Sequence, residues 1–254
     1  MKKFFNLLFL VTANALGQSA LEQFISHPIE AHFAASADGK NIAWVINDHG
    51  KRNIMIKIGS ELPKVFTDYP QDDGQEISQL AFSPNGLKLL FVRGGAPNRA
   101  GQSPNPASLP EAPDMAIYFK DIASKSQPTK ITTGSSPIFV RDGLKFLFAK
   151  GGQIYESSLE VNANPKPLFN ARGWNGGPKF SPNGIEILFT SNRGDHSFVG
   201  VYHTINRTVR WIAPDVTNDT SPAWSPDGRS IVFFRFPGKK LVTLTTVQWA
   251  VDFL

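Results

Sequence analysis

The chain contains no cysteine, and this absence excludes several kinds of chemistry together. None of the 254 residues is Cys, so disulfides, thiolate nucleophiles and cysteine-ligated zinc sites are excluded. A chain of this length with 41% hydrophobic residues can bury a core without cross-links. The lack of cysteine is therefore compatible with a secreted protein.

The sequence also lacks the common catalytic and metal-binding signatures. No Gly-x-Ser-x-Gly pentapeptide occurs, and the nearest stretch, Gly134-Ser135-Ser136, continues with Pro137 and Ile138, which do not suit a nucleophile elbow. The five histidines include no His-Glu-x-x-His pair, the spacing typical of zinc ligands on a helix. We therefore predict no catalytic residue, no metal site and no cofactor.

Charge and hydropathy exclude two further classes of partner. The net charge is +5 and the isoelectric point about 9.4, but the basic residues are scattered, with pairs such as Lys51-Arg52 as the longest clusters. No basic stripe with interleaved aromatics is present, so we predict no nucleic-acid binding. No apolar run reaches the ~20 residues of a membrane span.

The N-terminus has the pattern of a secretory signal peptide. Lys2-Lys3 precede an apolar stretch from residue 4 to 11, and small residues follow at Ala13, Ala15 and Gly17. This pattern predicts a signal peptide over residues 1–17 and a secreted or periplasmic mature protein; a buried N-terminal helix is the alternative. Residues 18–32 are predicted to be a lead-in segment, either a short helix or extended chain.

A repeated motif dominates the rest of the chain. An apolar or aromatic residue is followed by Ser-Pro-Asx-Gly and then by a run of β-forming residues. In this turn proline presets φ, Asn or Asp follows, and glycine takes the positive φ. A looser copy ends at Gly39 and a weak copy, which retains only Asp-Gly, ends at Gly143. The three full copies are Phe82-Ser83-Pro84-Asn85-Gly86, Phe180-Ser181-Pro182-Asn183-Gly184 and Trp224-Ser225-Pro226-Asp227-Gly228.

The spacing of the repeat predicts a β-propeller. The turn glycines are 47, 57, 41 and 44 residues apart, the period typical of propeller blades. We predict an all-β chain in which residues 33–254 form an incomplete propeller of four to five blades, each a four-stranded antiparallel sheet. Ser-Pro pairs at 136–137 and 221–222 are interpreted as connectors between repeats, and Gly151-Gly152 and Gly176-Gly177 as hairpin turns. Open blade edges predict self-association.

Two segments supply candidate binding residues. Residues 96–114 include five prolines, and loops of this length in a compact domain are commonly functional; Arg99 and Asn105 are the candidates there. A second segment, Ser191 to Phe198, is predicted to join two strands of the fourth unit. Its candidates are Arg193, Asp195 and His196, with Arg193 able to bind a carboxylate through two hydrogen bonds.

The repeated motif resembles the WD-repeat-like, TolB-type propeller repeat. Three longer strings, FVRGGAPNRAGQSPNPASLP, KGGQIYE and SNRGDHSFVGVY, resemble the N-terminal propeller of secreted prolyl-oligopeptidase-family serine peptidases of the dipeptidyl-peptidase type. The resemblance covers about residues 25 to 238. It implies a propeller that caps an α/β-hydrolase domain, and none of that family's catalytic residues has a counterpart in this sequence.

These observations lead to one expected function and two alternatives. The expected function is the substrate-gating propeller of such a peptidase, shortened before the hydrolase domain that would hold the peptide substrate. The first alternative is a periplasmic TolB-like propeller that serves as a scaffold for a protein partner. The second is a polysaccharide lyase or glycosidase propeller, which would need paired carboxylates facing the channel.

Overall fold

The chain folds as β-strands throughout its described part. The computed structural model describes residues 28–95 and 114–238, together with the backbone of residues 248–253. Every helix or strand element in these ranges is a β-strand, which confirms the predicted all-β class. In these ranges no helix is long and apolar enough to cross a membrane.

The strands form five successive sheets, which we call blades 1 to 5. In blades 1 to 4, four antiparallel strands pair in sequence order, and the first strands of neighbouring blades contact one another around the propeller axis. Blade 1 comprises β1 (Ile29–Ala35), β2 (Asn41–Asp48), β3 (Lys51–Ile58) and β4 (Lys64–Val65). Blade 2 comprises β5 (Ile77–Phe82), β6 (Lys88–Arg93), β7 (Ala116–Asp121) and β8 (Thr129–Thr133).

The remaining blades repeat this order, and blade 5 has three described strands. Blade 3 comprises β9 (Ser135–Phe139), β10 (Lys145–Lys150), β11 (Gln153–Ser158) and β12 (Lys166–Pro167). Blade 4 comprises β13 (Trp174–Phe180), β14 (Glu186–Asn192), β15 (Ser197–His203) and β16 (Thr208–Ile212). Blade 5 comprises β17 (Asn218–Trp224), β18 (Ser230–Phe236) and β19 (Gln248–Phe253). The prediction of an incomplete propeller of four to five blades is therefore confirmed.

Each Ser-Pro-Asx-Gly segment forms the turn between the first and second strands of a blade. In blade 4 the Gly184 N–H donates to the Ser181 carbonyl (2.8 Å), and Gly184 has a φ of +77°, a value that glycine adopts without steric cost. The Ser181 hydroxyl donates to Asn183 Oδ1 (2.7 Å) and accepts the Glu186 N–H (2.9 Å). The same hydroxyl bridge occurs at Ser36, Ser83 and Ser225.

Blade 3 keeps the turn but lacks the hydroxyl bridge. Val140 occupies the serine position, and the Gly143 N–H still donates to its carbonyl at 2.9 Å. Asp142 Oδ1 accepts the N–H groups of Leu144 (2.8 Å) and Lys145 (3.3 Å) directly. The Asp-Gly pair is therefore sufficient for the backbone turn, which explains why the weak copy of the motif still forms a blade.

The hydrophobic core lies between the blades. In β6, Leu89 and Phe91 pack against blade 1, whereas Leu90 and Val92 pack against blade 3. All four side chains are buried. A strand that is covered on both faces is apolar at every position, which explains the continuous apolar run after each turn. Similar layers lie between blades 3 and 4 and between blades 4 and 5.

Several local predictions are corrected by the strand boundaries. The Ser-Pro pairs do not connect repeats, because Ser136-Pro137 lies within β9 and Ser221-Pro222 within β17. Gly176-Gly177 lies within β13 and is not a hairpin turn, whereas Gly151-Gly152 does join β10 to β11. Strand β1 begins at Ile29, so the described end of the segment 18–32 is extended chain, one of its two predicted conformations. The two Ser-Pro pairs and Gly176-Gly177 are part of strands because β9, β13 and β17 pair with the second strands of their blades.

One face of blade 1 is left uncovered by the described residues. Ile29 and Phe33 are 67% and 64% exposed, and the Phe33 ring stacks on Trp44 at a centroid distance of 6.3 Å. In a closed propeller this face would pack against another blade. Self-association through the open face stays a prediction.

The hydroxyl bridge predicts a measurable loss of stability on removal. Ser181→Ala removes the hydrogen bonds of the hydroxyl and leaves the Glu186 N–H without its side-chain acceptor, so we expect a loss of about 1–2 kcal/mol in the free energy of unfolding. Urea denaturation followed by tryptophan fluorescence measures it. Ser60→Ala, at an exposed position, is the control and should change stability by less than about 0.5 kcal/mol. Equal effects of the two substitutions would contradict the role of the bridge.

Candidate functional site

The first strand of every blade contains one β-bulge beside the channel. At each bulge two residues of the first strand oppose one of the second, and the first of the two has a positive φ. Residues with a Cβ rarely adopt this conformation, and such strain concentrates at binding surfaces and active sites. The five positions are His32 (φ +54°), Gln79 (+54°), Ser136 (+53°), Gly177 (+62°) and Ser221 (+52°).

In three blades the residue after the positive-φ position of the bulge is a buried proline. These are Pro137, Pro178 and Pro222. Proline has no N–H, so within sheets it is restricted to edge strands and bulges, and the first strand of a blade is an edge strand because its free side faces the channel. Bulges and prolines keep such an edge from pairing with other strands. The channel wall therefore retains exposed backbone groups without extending the sheets.

Hydrogen bonds connect the bulges of neighbouring blades. The Ser136 N–H donates to Gln79 Oε1, which joins blade 3 to blade 2. Lys179 Nζ donates to the Pro222 carbonyl at 2.8 Å, and Trp224 Nε1 donates back to the Lys179 carbonyl at 3.2 Å. The inner strands are thus held in fixed positions relative to one another.

Aromatic residues narrow the channel at the end where the Ser-Pro-Asx-Gly turns lie. We call Phe82, Phe139 and Phe180 the aromatic collar; each precedes the turn in its own blade. Together with Pro84 and Pro182 they line a cavity of about 340 Å³. Its walls come from blades 1 to 4, so the cavity lies on the propeller axis. The first position of the sequence motif therefore supplies the channel lining.

Trp174 is an exposed aromatic residue in the channel wall near the other end. Its side chain is 69% exposed, and its ring lies against the backbone of Gly152, where an added Cβ would lie 3.1 Å from the indole. Trp174 lines two clefts, one of about 250 Å³ between blades 3 and 4 and one of about 310 Å³ between blades 4 and 5. Sequence reasoning missed it because its glycine-rich surroundings were interpreted as a turn.

The buried Asn175 anchors the strand segment that carries Trp174. Its side chain is almost fully buried, and Nδ2 donates to the Ala171 carbonyl at 2.8 Å and to Gln153 Oε1 at 3.2 Å. Its backbone N–H donates to the Gly152 carbonyl at 2.9 Å. The base of Trp174 is therefore fixed to blade 3.

Arg193 lies over the outer strands of blade 4. Its guanidinium is 5.3 Å from the Phe198 ring and 5.2 Å from the Trp211 ring, and its Nε donates to Ser191 Oγ at 3.2 Å. Phe198 is on the third strand and Trp211 on the fourth, at the periphery of the blade. The structure thus places Arg193 in cation–π contacts with two rings of its own blade, and its side chain also lies against Gly173, the residue before Trp174.

The remaining predicted residues lie on the same end of the propeller as Arg193 or outside the described ranges. Asp195 Oδ1 and His196 Nδ1 are 2.6 Å apart, and the His196 ring contacts the edge of Phe198. Arg99 and Asn105 lie outside the described residues. Their segment connects β6 to β7 as residues 193–196 connect β14 to β15, so both belong to connections between second and third strands.

A charged cluster between blades 1 and 2 was also missed from the sequence. Arg52 pairs with Asp72 (3.2 Å) and with Glu76 (3.0 Å). Arg93 pairs with Asp73 and stacks over the Tyr69 ring at 4.1 Å. Burial raises the pKa of the Tyr69 phenol to about 12, although nearby Arg93 opposes the shift. These contacts secure the loop that enters blade 2.

A buried ion pair secures blade 5 in a similar way. Asp219 is fully buried and accepts two hydrogen bonds from Arg235, at 2.8 Å from Nε and 2.9 Å from an Nη. Arg235 also donates to the Ala213 carbonyl at 2.6 Å. The Asp219 carboxylate raises the pKa of Arg235 above its usual range. This pair joins the first two strands of blade 5 to the chain that leaves blade 4.

Within residues 28–95 and 114–238, no group of three His, Cys, Asp or Glu side chains is placed to hold a metal ion.

Comparison with known proteins identifies the fold. No protein-family model matches the chain, and no curated protein matches it. TolB from Acinetobacter baumannii is similar over 82% of this chain and 49% of its own, with 24% identity and a TM-score of 0.59. A putative TolB from Agrobacterium tumefaciens is similar over 89% and 78%, with 18% identity and a TM-score of 0.57.

A prolyl endopeptidase has a similar fold. One of two such enzymes in a study of inter-domain dynamics matches 83% of this chain and 33% of its own, with 14% identity and a TM-score of 0.58. The fold is therefore that of a TolB-like β-propeller. This propeller spans about half the length of the Acinetobacter protein and a third of the prolyl endopeptidase. Identities at this level show a shared fold alone.

The buried ion pair of the propeller predicts a large effect on stability. Asp219→Ala leaves the Arg235 guanidinium buried without its carboxylate, so we expect a loss of about 3–5 kcal/mol in the free energy of unfolding. Glu61→Ala is the control, since it breaks an exposed pair with Lys64 (3.0 Å) that is worth at most about 1 kcal/mol. Urea denaturation of both variants measures the difference. Similar losses in the two variants would contradict the anchoring role of Asp219.

Proposed function

We propose that this chain is the substrate-gating propeller of a secreted serine peptidase of the prolyl-oligopeptidase kind. In this role it binds short peptides in its channel and leaves their cleavage to a hydrolase domain outside this sequence. The observation that carries the proposal is the exposed Trp174 on the inner strand of blade 4, where it lines a cleft on either side. Exposed aromatic side chains in concave surfaces are common anchors for ligands.

The surroundings of Trp174 suit a peptide. The cleft between blades 3 and 4 includes the exposed Lys150 and the partly exposed Ser135 beside the indole. The bulged inner strands add backbone groups that are not used by their own blades. An extended peptide needs apolar contacts for its side chains and polar partners for its backbone. Both are available along this part of the wall.

The aromatic collar supports the gating part of the proposal. Phe139 is buried and Phe82 and Phe180 are partly buried in a cavity of about 340 Å³ on the axis. A constriction lined by these rings and by Arg141 admits an extended segment and rejects a folded domain on steric grounds. Selection by size in the channel would therefore precede any contact with a catalytic centre.

A TolB-like scaffold for a protein partner is the second candidate. It is supported by the repeated Ser-Pro-Asx-Gly motif, which resembles the TolB-type repeat. In this role Arg193, Asp195 and His196 would contribute to a surface formed by the loops at one end of the propeller. Arg99 and Asn105, which lie outside the described residues, stay candidates for the same role.

Both candidates include export from the cytoplasm. This part of the proposal rests on the N-terminal sequence, with its basic pair, apolar stretch and small residues, which is typical of a secretory signal peptide. Mass spectrometry of the protein recovered from outside the cytoplasm tests it. A mature N-terminus near residue 18 supports export, and a chain that retains Met1 and stays in the cytoplasm contradicts it.

Substitution of Trp174 tests peptide recognition. Fluorescein-labelled short peptides, including proline-containing sequences, are titrated against the chain by fluorescence polarisation. Trp174→Ala should weaken binding about tenfold or more, since an aromatic anchor that becomes buried on binding contributes at least that much. Ile205→Ala is the matched control, because Ile205 is equally exposed (71%) but lies in the turn after β15. Unchanged binding by the Trp174 variant would overturn the assignment.

Three further measurements test the candidates, and the binding assay and the DNA sequence distinguish one from the other. A gate binds the isolated short peptides, whereas a scaffold binds a folded partner and ignores them. The purified chain should not cleave dipeptide-linked chromogenic substrates, and a serine-trapping reagent should label nothing. The DNA beyond codon 254 is also informative: a Gly-x-Ser-x-Gly element followed by Asp and His supports the peptidase, and its absence favours the scaffold.

A further inference from the structure

A large cleft lies between the outer parts of blades 1 and 2, away from the channel. Its volume is about 910 Å³. One wall comes from β4 and the residues that follow it, and the other from the end of β7 and the loop after it. The cleft shares no lining residue with the aromatic collar or with the two clefts beside Trp174. It is therefore independent of the site proposed above.

A buried lysine without a counter-ion lies in the wall of this cleft. Lys120 is only 9% exposed. Its ammonium donates one hydrogen bond, to the Phe66 carbonyl at 2.6 Å, and lies 4.7 Å from the centre of the Phe66 ring. No carboxylate of the described residues forms an ion pair with it. Burial lowers the pKa of Lys120, as expected for an ammonium in an apolar environment.

The surroundings of Lys120 leave its charge uncompensated. An ammonium has three N–H donors, and a neutral carbonyl with an aromatic face compensates a buried charge less well than an anion does. Buried charges in proteins are normally paired. A purely structural lysine could be replaced by an apolar side chain at this position without the cost of desolvating the charge.

The other cleft residues define the rest of the ligand. Val65 and Leu87 are apolar yet 64% and 59% exposed, and Ile58 and Ile122 continue the apolar wall. Such a surface suits an apolar body rather than a sugar or nucleotide. The charged groups that face the cleft are listed here in full: Lys64, which pairs with Glu61, together with Lys120, Lys125, Asp68 and Asp121.

We infer that this cleft binds a small amphipathic carboxylate, with its head on the Lys120 ammonium and its apolar body against Val65, Leu87 and Ile122. One buried ammonium matches a ligand with a single negative charge. Asp68 and Asp121, which also line the cleft, disfavour ligands with several negative charges. A carboxylate would supply the charge-assisted acceptor that Lys120 lacks. The site lies at the junction of two blades, so an occupied cleft also joins blade 1 to blade 2.

Octanoate is the probe that tests the inference, with 1-octanol as its uncharged counterpart. Isothermal titration calorimetry of the chain should show octanoate binding about tenfold or more tighter than 1-octanol. Lys120→Met keeps an unbranched side chain that is one atom shorter and removes the charge, so this preference should disappear. Lys57→Met is the matched control, because Lys57 also donates to a backbone carbonyl (Gly59, 2.6 Å) and does not line the cleft.

Failure to bind octanoate, or an equal preference in the Lys120 variant, would overturn the inference. If Lys120→Met does not fold, Leu87→Asp replaces it, since this exposed substitution adds a negative charge to the wall and should abolish octanoate binding. Reductive methylation mapped by mass spectrometry gives an independent result. Octanoate should protect Lys120 and leave Lys57 reactive, whereas equal modification with and without octanoate would contradict a ligand at Lys120.

Discussion

The structure depends on the requirement that both faces of each blade be covered. A four-stranded sheet with apolar side chains on both faces is unstable in water by itself, because each exposed Leu, Ile or Phe forgoes about 1.5–3 kcal/mol of burial. In blade 2, Leu89 and Phe91 are buried against blade 1, and Leu90 and Val92 are buried against blade 3. Neighbouring blades therefore stabilise one another. The face of blade 1 that holds Ile29 and Phe33 does not meet this requirement within the described residues, because both side chains are exposed.

This packing also determines where ligands can bind. The strands in the middle of a blade are committed to the core, so recognition must use the inner edges, the connections or the junctions between blades. The inner edges hold the bulges, and their prolines prevent sheet extension at the axis. Trp174 is presented from one such edge. The junction of blades 1 and 2 holds the Lys120 cleft, where a charge is buried without a counter-ion.

Sequence reasoning identified the right connections but could not assign the orientation of their side chains. The segment around Arg193 joins β14 to β15 as predicted, yet the guanidinium stacks on Phe198 and Trp211, because a planar cation gains more from two adjacent aromatic rings than from solvent. Trp174 went unnoticed because its neighbours Gly176 and Gly177 suggest a turn. The bulge that uses Gly177 exists only once β13 is paired with β14.

The sequence alone determined the all-β class, the blade repeat and the turn that starts each blade, because these depend on local φ preferences and on residues close together along the chain. Ser181, Asn183 and Gly184 close their hydrogen-bonded turn within a few residues. Tertiary structure decided the rest. The aromatic collar, the anchoring of Trp174 and the unpaired charge of Lys120 each involve residues from different blades. The distances between these residues and the burial of their side chains depend on how the sheets pack face to face. No local sequence pattern encodes that packing.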